Sequence, residues 1–455
     1  MRLTSQPKKF VFSLIMAAML SFQSGCTVRI FDLQPENTIV APEPTSMETP
    51  GTPMPVAYVT VTSGLQPLMT NTPPIQLGPT KITEAIPIEL SELVMINGAT
   101  GWGIAHVPGG MGQMIVRTQD GGFNWRNVTP PQLIAKYGSR SVTVTGYFLD
   151  TSNAWVIYHN EENWAPKNGV SIWHTTDGGN SWEEVALPLE GYSAQHFQKI
   201  QISFLNANIG WIFASLGGSQ DREFIGLYTT HDGGKNWAVM VSSDSANLPS
   251  KGRKDGASFR NATEGWISGR NAPDEPGVFL WRTLDGGNTW TTQTLPPLTA
   301  EDIPQGYLND RNTQCSLTPL KFVDFQFQYA WTKMYCQGGA LTEPIGILYW
   351  TYDSGSTWRM YRLPKAEGNV VFYGIYQGWY SQEADSGAAT PFEIKSTIDG
   401  GSTWNVAAQT AWDSKLQFIT GAVGWGVVNY EGRLAMVKTV DGGNSWEQIY
   451  PSLLP

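Results

Sequence analysis

Carboxylates on polar stretches carry the most obvious chemical potential in this sequence. Glu161-Glu162, Asp274-Glu275 and Glu301-Asp302 each set two acids side by side. Acid–base cleavage of a glycosidic bond needs two carboxyl groups flanking the bond. Adjacent acids on polar loops are usually solvated instead, and that is the expectation for all three pairs. Other reactive patterns are missing. There is no Gly-x-Ser-x-Gly, no phosphate-cradling glycine loop and no zinc-ligand spacing. The five histidines, at 106, 159, 174, 196 and 231, contain no close pair. The sequence therefore assigns no catalytic residue, no cofactor site and no metal site, and the chain reads as a non-enzyme.

The cysteines are more informative. Cys26 follows a basic start (Arg2, Lys8, Lys9), an apolar run from Phe10 to Phe22, and Ser24-Gly25. That run is too short to span a hydrocarbon core of ~30 Å as a helix, but it suits a secretory segment. The ending resembles a bacterial lipobox, which implies a signal ending at Cys26, a diacylated Cys26 and a lipid anchor on the outer face of the cell membrane or in the periplasm; plain secretion and an uncleaved anchor are the alternatives. Cys315 and Cys336 stand 21 residues apart. A hairpin between them would bring them close, and an exported compartment permits oxidation, so a disulfide is expected; two buried free thiols are the alternative. Closing such a loop stabilises by about 3 kcal/mol if chain entropy dominates.

Seven further acids recur in one pattern, Thr-x-Asp-Gly-Gly-x-(Asn/Ser/Thr)-Trp, with Ser354 replacing one glycine. They are Asp120, Asp177, Asp232, Asp285, Asp353, Asp399 and Asp441. Their tryptophans are Trp125, Trp182, Trp237, Trp290, Trp358, Trp404 and Trp446. Upstream of each lies a second tryptophan: Trp102, Trp155, Trp211, Trp266, Trp331, Trp379 and Trp425. Fourteen of the 19 tryptophans are thus repeat positions, which accounts for them without a ligand. The even repetition also argues against catalysis, because an active site brings unlike groups to one point. Each Asp is expected to cap a tight hairpin whose glycines adopt positive φ.

The elements that position these residues follow from the repeat. Each unit has room for four short strands, as in Lys415–Ile419, Gly424–Tyr430, Leu434–Thr439 and Trp446–Tyr450 of the last. Seven such units fit an all-β fold, a seven-bladed β-propeller of four-stranded antiparallel blades over residues 90–455. How the ring closes stays open between side-chain contact of blades one and seven and an added N-terminal strand such as 57–62. Residues 27–89 read as a disordered tether. Thr27–Pro87 alone hold 11 Pro and 11 Thr, so neither helix nor central strand can build. As a flexible coil this tether spans about 45 Å.

Charged residues make up only 15% of the chain and the net charge is −10. A nucleic-acid partner is excluded, since phosphate binding needs clustered Lys and Arg. The repeated motif resembles the Asp-box, and the combined layout is most similar to the photosystem II assembly and stability factor family. It is less similar to the Asp-box propellers of sialidases, xyloglucanases and sortilin-type receptors. That resemblance implies a non-catalytic extracytoplasmic module that handles a protein partner such as a membrane complex, and leaves carbohydrate as the alternative ligand. The family's basic patch has no counterpart here, because residues 91–455 carry 24 basic and 33 acidic side chains. A sialidase would need three arginines on the substrate carboxylate. The nearest local match, Tyr361-Arg362-Leu363-Pro364, reads as a strand exit, and Arg117, Arg282, Arg359 and Arg362 are expected to point to solvent. Trp164, Tyr307 and Trp412, with loops Thr299–Thr313 and Gln382–Pro391, are the candidate contact surfaces.

Overall fold

The computed structural model describes residues 86–454 apart from 111, 134–142, 160–168, 190–195, 220, 243–244, 246, 276, 299–309, 311, 325, 340 and 386–389. Cys26, the signal segment, most of the tether with its 57–62 patch, Glu161, Glu162, Glu301, Asp302, Trp164 and Tyr307 lie outside the described residues.

Seven antiparallel sheets follow one another along the chain. After β1 (Ile86–Pro87), blade 1 comprises β2 (Glu89–Met95), β3 (Gly101–His106), β4 (Met114–Thr118) and β5 (Asn124–Asn127). Blade 2 has β6 (Thr143–Phe148), β7 (Ala154–His159), β8 (Ser171–Thr175) and β9 (Glu183–Ala186). Blade 3 has β10 (Gln198–Phe204), β11 (Gly210–Gly218), β12 (Glu223–Thr230) and β13 (Ala238–Val241). Blade 4 has β14 (Arg253–Phe259), β15 (Gly265–Arg270), β16 (Val278–Thr283) and β17 (Thr291–Thr292). In blade 5 the first strand is split into β18 (Gln314–Leu317) and β19 (Lys321–Phe322), both paired with β20 (Ala330–Gln337), and β21 (Ile345–Thr351) and β22 (Arg359–Arg362) complete it. Blade 6 has β23 (Asn369–Tyr373), β24 (Gln377–Glu383), β25 (Phe392–Thr397) and β26 (Asn405–Thr410). Blade 7 has β27 (Asp413–Phe418), β28 (Gly424–Tyr430), β29 (Arg433–Thr439) and β30 (Glu447–Ile449), and β31 (Ser452–Leu453) ends the chain. This is the seven-bladed propeller that the repeat implies, with strand limits in the last unit within two residues of those read from sequence.

The blades are cemented by the upstream tryptophans. Each lies on the second strand of its blade and packs against the large residue that ends the first strand of the next. Trp155 stacks on Phe204 at 3.6 Å, Trp211 on Phe259 at 4.4 Å and Trp379 on Phe418 at 3.4 Å. At the last junction Trp425 packs in one cluster with Met95. Aromatic pairs of this kind add about 0.5–1.5 kcal/mol beyond their buried area. Several indole N–H groups also reach into the next blade: Trp155 donates to Gly233 O, Trp379 to Gly442 O and Trp425 to Gly121 O.

Ring closure uses three devices. Trp425 and the Gln417 side chain, which both accepts from Met95 N and donates to Met95 O, join blade 7 to blade 1. β31 then adds in parallel to β5, the outer strand of blade 1, and β1 pairs antiparallel with β31. The side-chain expectation is met, and the added strand comes from the C-terminus. In blade 5 the first strand is interrupted between Leu317 and Lys321. Pro319 lacks the N–H that a continuous ladder needs, and Cys315 on β18 faces Cys336 on β20 as its direct cross-strand partner, joined by a disulfide.

Candidate functional site

Two ends of the propeller differ in kind. At one end lie the turns between first and second strands together with the seven Asp turns; at the other lie the loops between second and third strands and those between blades. The first end is regular. In every motif the Thr hydroxyl donates to Asp Oδ1 and accepts the N–H of the third motif residue after Asp counting Asp itself, as Thr118 does with Asp120 and Gly122. The N–H four residues after Thr's acid donates to Oδ1 and the side chain there donates to Oδ2: Ser181 on Asp177, Thr289 on Asp285 and Ser445 on Asp441 are examples. Asp232, Asp353 and Asp399 are bound in the same way. Gly121 and Gly122 take φ of 82° and 104°, and Ser354 adopts 58° where the other motifs place glycine.

Motif tryptophans close the turn. Trp125, Trp237, Trp290, Trp404 and Trp446 donate to the carbonyl of their own turn, whereas Trp182 donates to Val128 O of the preceding blade. Trp358 is half-buried in the same setting. The seven carboxylates therefore stay apart, one per blade, with their oxygens engaged by their own turns. Their pKa values are lowered, to about 2 at Asp177 and Asp441, where the hydroxyls of Ser181 and Ser445 are the leading cause.

The arginines beside these turns behave differently from the expectation. Arg117 lies over Trp102 at 5.6 Å and donates to Thr151 O. Arg282 lies over Trp266 at 5.3 Å and pairs with Glu264, which also holds Arg260 at 2.9 Å. Both are half-buried because an arginine can cover the indole face of its own blade while meeting a carbonyl or carboxylate. Arg359 sits over Tyr352 at 5.3 Å, and only Arg359 and Arg362 are exposed. Among the described residues Arg117, Arg282 and Arg359 each cover an aromatic ring of their own blade instead of converging, and Tyr361-Arg362-Leu363 ends β22 with Leu363 buried. Trp412 is half-buried and packs edge-on against Trp446 at 6.0 Å.

The second end breaks the repeat, and there a groove opens along blades 3 to 5. One of its two depressions has a cavity volume of about 510 Å³, inside the range of ligand sites. Phe279, Trp281 and Leu295–Leu298 supply an apolar floor and side, with Met334 and Tyr349 of blade 5 at one end. Trp281 is half-exposed and stacks on Phe279 at 3.9 Å with planes 16° apart. Asn271, Gln293 and Glu275 are the polar groups along it. A second depression of about 550 Å³, lined by Asp221, Arg222, Ser250 and Asp274, shares Pro249 and Lys251 with the first.

Lys251 is the hinge of this rim. Its ammonium contacts Asp274 Oδ2 at 3.1 Å and Glu275 Oε1 at 2.8 Å. The two carboxyl groups are thus gathered on one ammonium, with their contacting oxygens less than about 6 Å apart. The pair that sequence alone left as solvated is indeed exposed, but it is organised on one lysine at the mouth of a groove. The Lys251 pKa is raised, by its bond to Glu275 first and then to Asp274. Sequence gave no sign of Trp281 or Lys251, since neither belongs to the repeat; their departure from its periodicity is the one available signal.

No family model and no curated protein sequence matches this chain. Solved structures do match in fold. One is a polysaccharide lyase described as an ulvan lyase, at 11% identity, TM-score 0.47, over 81% of this chain and 96% of that one. Another is the Hadza microbial sialidase Hz136, at 14%, TM-score 0.36, over 64% and 68%. A third is the α-L-arabinofuranosidase Arb93A of Fusarium graminearum, at 12%, TM-score 0.39, over 66% and 92%. This chain has the β-propeller fold.

At these identities the likeness is one of architecture. Even so, the expectation of a non-enzyme is corrected: the neighbours of this propeller are mostly enzymes, prolyl endopeptidases among them. A non-catalytic assembly role is left without support. A propeller can mount reactive groups on loops that depart from the repeat, and acids expected to be merely solvated, such as Asp274 and Glu275, sit on such a loop. Among the described residues no group of His, Cys, Asp and Glu is placed to hold a metal, and no helix is long and apolar enough to cross a membrane.

Proposed function

We propose that this chain is a carbohydrate-active propeller that holds a saccharide in the groove of blades 3 to 5. The observation that carries this reading is the groove's makeup. A half-exposed Trp281 backed by Phe279 offers a flat apolar face, while Asn271, Gln293 and Glu275 supply hydrogen-bonding groups beside it. A sugar ring has the same two characters, apolar C–H faces and a polar rim of hydroxyls. Glu275 and Asp274 at the mouth are the carboxylates available for acid–base work, and Lys251 holds both in place.

The Asp turns belong to this reading as scaffold. Their hydrogen bonding supports naming them Asp-boxes, and their role is to fix each blade so that the opposite end can vary. The lipobox-like Cys26 and the Pro/Thr-rich residues 27–89 support a lipid-anchored, exported propeller on a tether, placing the groove where it meets extracellular polysaccharide.

A polysaccharide panel spanning neutral, uronic and amino-sugar chains tests the proposal. The readouts are binding by calorimetry, new reducing ends and unsaturated products. At least one saccharide should bind, with affinity reduced tenfold or more by Trp281→Ala and turnover lost in Glu275→Gln. If the folded chain neither binds nor cleaves any member of the panel, the proposal is wrong.

A further inference from the structure

Beneath the rim that separates the two depressions lies a buried cation. Lys254 has no exposed surface. Its ammonium donates to Ser250 O at 2.8 Å, Glu223 O at 3.0 Å, Lys251 O at 3.1 Å and Gly252 O at 3.2 Å. On its other side it faces the Trp281 ring, 5.4 Å from the centroid. Its own backbone N–H donates at 2.6 Å to Glu223, whose second carboxyl oxygen accepts from Ser215 Oγ at 2.7 Å.

Three of those four carbonyls belong to residues 250–252, the segment that carries Lys251. The same segment is tied to blade 3 by Glu223 N to Ser250 O at 2.9 Å and Gly252 N to Asp221 O at 2.8 Å. A loop carbonyl that converges with others on one point needs a donor there, because leaving it buried and unmet costs about 1–3 kcal/mol. A single ammonium serves these carbonyls together, adding at Ser250 O to the N–H of Glu223 that it already accepts; a neutral side chain of the same length serves none of them. Burial drives the ammonium's pKa down to about 8, with Glu223 opposing the shift. An ordinary lysine would avoid such a site.

We propose that Lys254 is the positioning residue of the groove: by drawing the carbonyls of residues 250–252 inward and lying against Trp281, it fixes the rim lysine and the aromatic floor relative to each other. The inference rests on the groove as the saccharide site. It adds that the rim and floor are set by one buried group that touches no ligand. Both depressions share this segment, so both depend on it.

Lys254→Met in the full chain is the direct test, with two local readouts that global stability does not move. Amide hydrogen exchange over 247–254 should speed up at least tenfold. In protein labelled with 5-fluorotryptophan, the ¹⁹F resonance of Trp281, assigned through Trp281→Phe, should shift while those of Trp102 and Trp425 hold. Affinity for cellohexaose or chitohexaose, whichever the native chain binds, should fall at least tenfold. A lower melting temperature with exchange and resonance unchanged would make Lys254 a packing residue and overturn the proposal. Binding of neither hexasaccharide by the native chain counts against the groove as their site, while the exchange and resonance data still decide the positioning role. If Lys254→Met fails to fold, Glu223→Gln removes the opposing charge and should produce the same local changes in smaller degree; their absence overturns the proposal equally.

Discussion

At the level of single residues, the motif threonine is a deeper structural commitment than the motif aspartate that draws the eye. Thr118, Thr175, Thr230, Thr283, Thr351, Thr397 and Thr439 are all buried, and each hydroxyl both donates to the carboxylate and accepts a turn N–H. The aspartates are half-buried or exposed, so water can replace part of what they accept. Thr118→Val keeps the shape of the side chain but strands Gly122 N–H in a buried turn. It should lower unfolding stability by about 1–3 kcal/mol, read as a lower urea midpoint with an unchanged m-value. A midpoint within error of the native protein would show that the turn N–H finds another acceptor. These motifs were legible in the sequence because the bonds of their Thr and Asp side chains fall within five residues; local chemistry repeats wherever the local sequence does.

Elements made by residues far apart in the chain were much less legible. β31 is two residues, Ser452 and Leu453, with no periodicity to announce it, yet it pairs with β5 more than 300 positions away and is covered by β1. Ser452 N donates to Phe123 O and Leu454 N to Trp125 O, so the tail seals the outer edge of blade 1. Truncation after Tyr450 should expose that edge and free Ile86–Pro87. Limited proteolysis should then cut near residue 88 well before the propeller unfolds, and melting should fall by a few degrees. Unchanged protection at that position would mean the clasp is dispensable. The groove eluded the sequence for a related reason. Trp281 reads as one more strand aromatic, and Lys254 as a solvated charge beside Arg253, until the loops at 249–252 and 271–275 fold against them. The Cys315–Cys336 pairing was the exception, since two cysteines bracketing a hairpin constrain each other whatever the surrounding fold.

On the scale of the whole molecule, the seven turns act together on the pH dependence of stability. All seven motif carboxyls sit below the ordinary aspartate value. At Asp120, Asp353 and Asp399 partial burial works in the opposite direction, and the donors of the turn outweigh it. An unfolded aspartate titrates near 3.9, and the folded values reach about 2 at Asp177 and Asp441. Between those limits the unfolded chain binds more protons than the native one, so stability rises with pH there. The contribution is complete above about pH 4 and drains away as pH falls toward 2. Glu92 opposes this trend, because desolvation raises its pKa against the pull of Lys415 although the side chain keeps exposed surface, but it is one group against seven. Urea midpoints should therefore be level from pH 7 to 5 and drop steeply between 4 and 2. Each surface-exposed turn contributes modestly, since solvent screens it; the steepness comes from repetition around the ring. Asp441→Asn should make that drop shallower by removing one of the seven titrations. A native midpoint that stayed level to pH 2.5, or a variant with the native slope, would show that the turns do not hold the ring together through their charge.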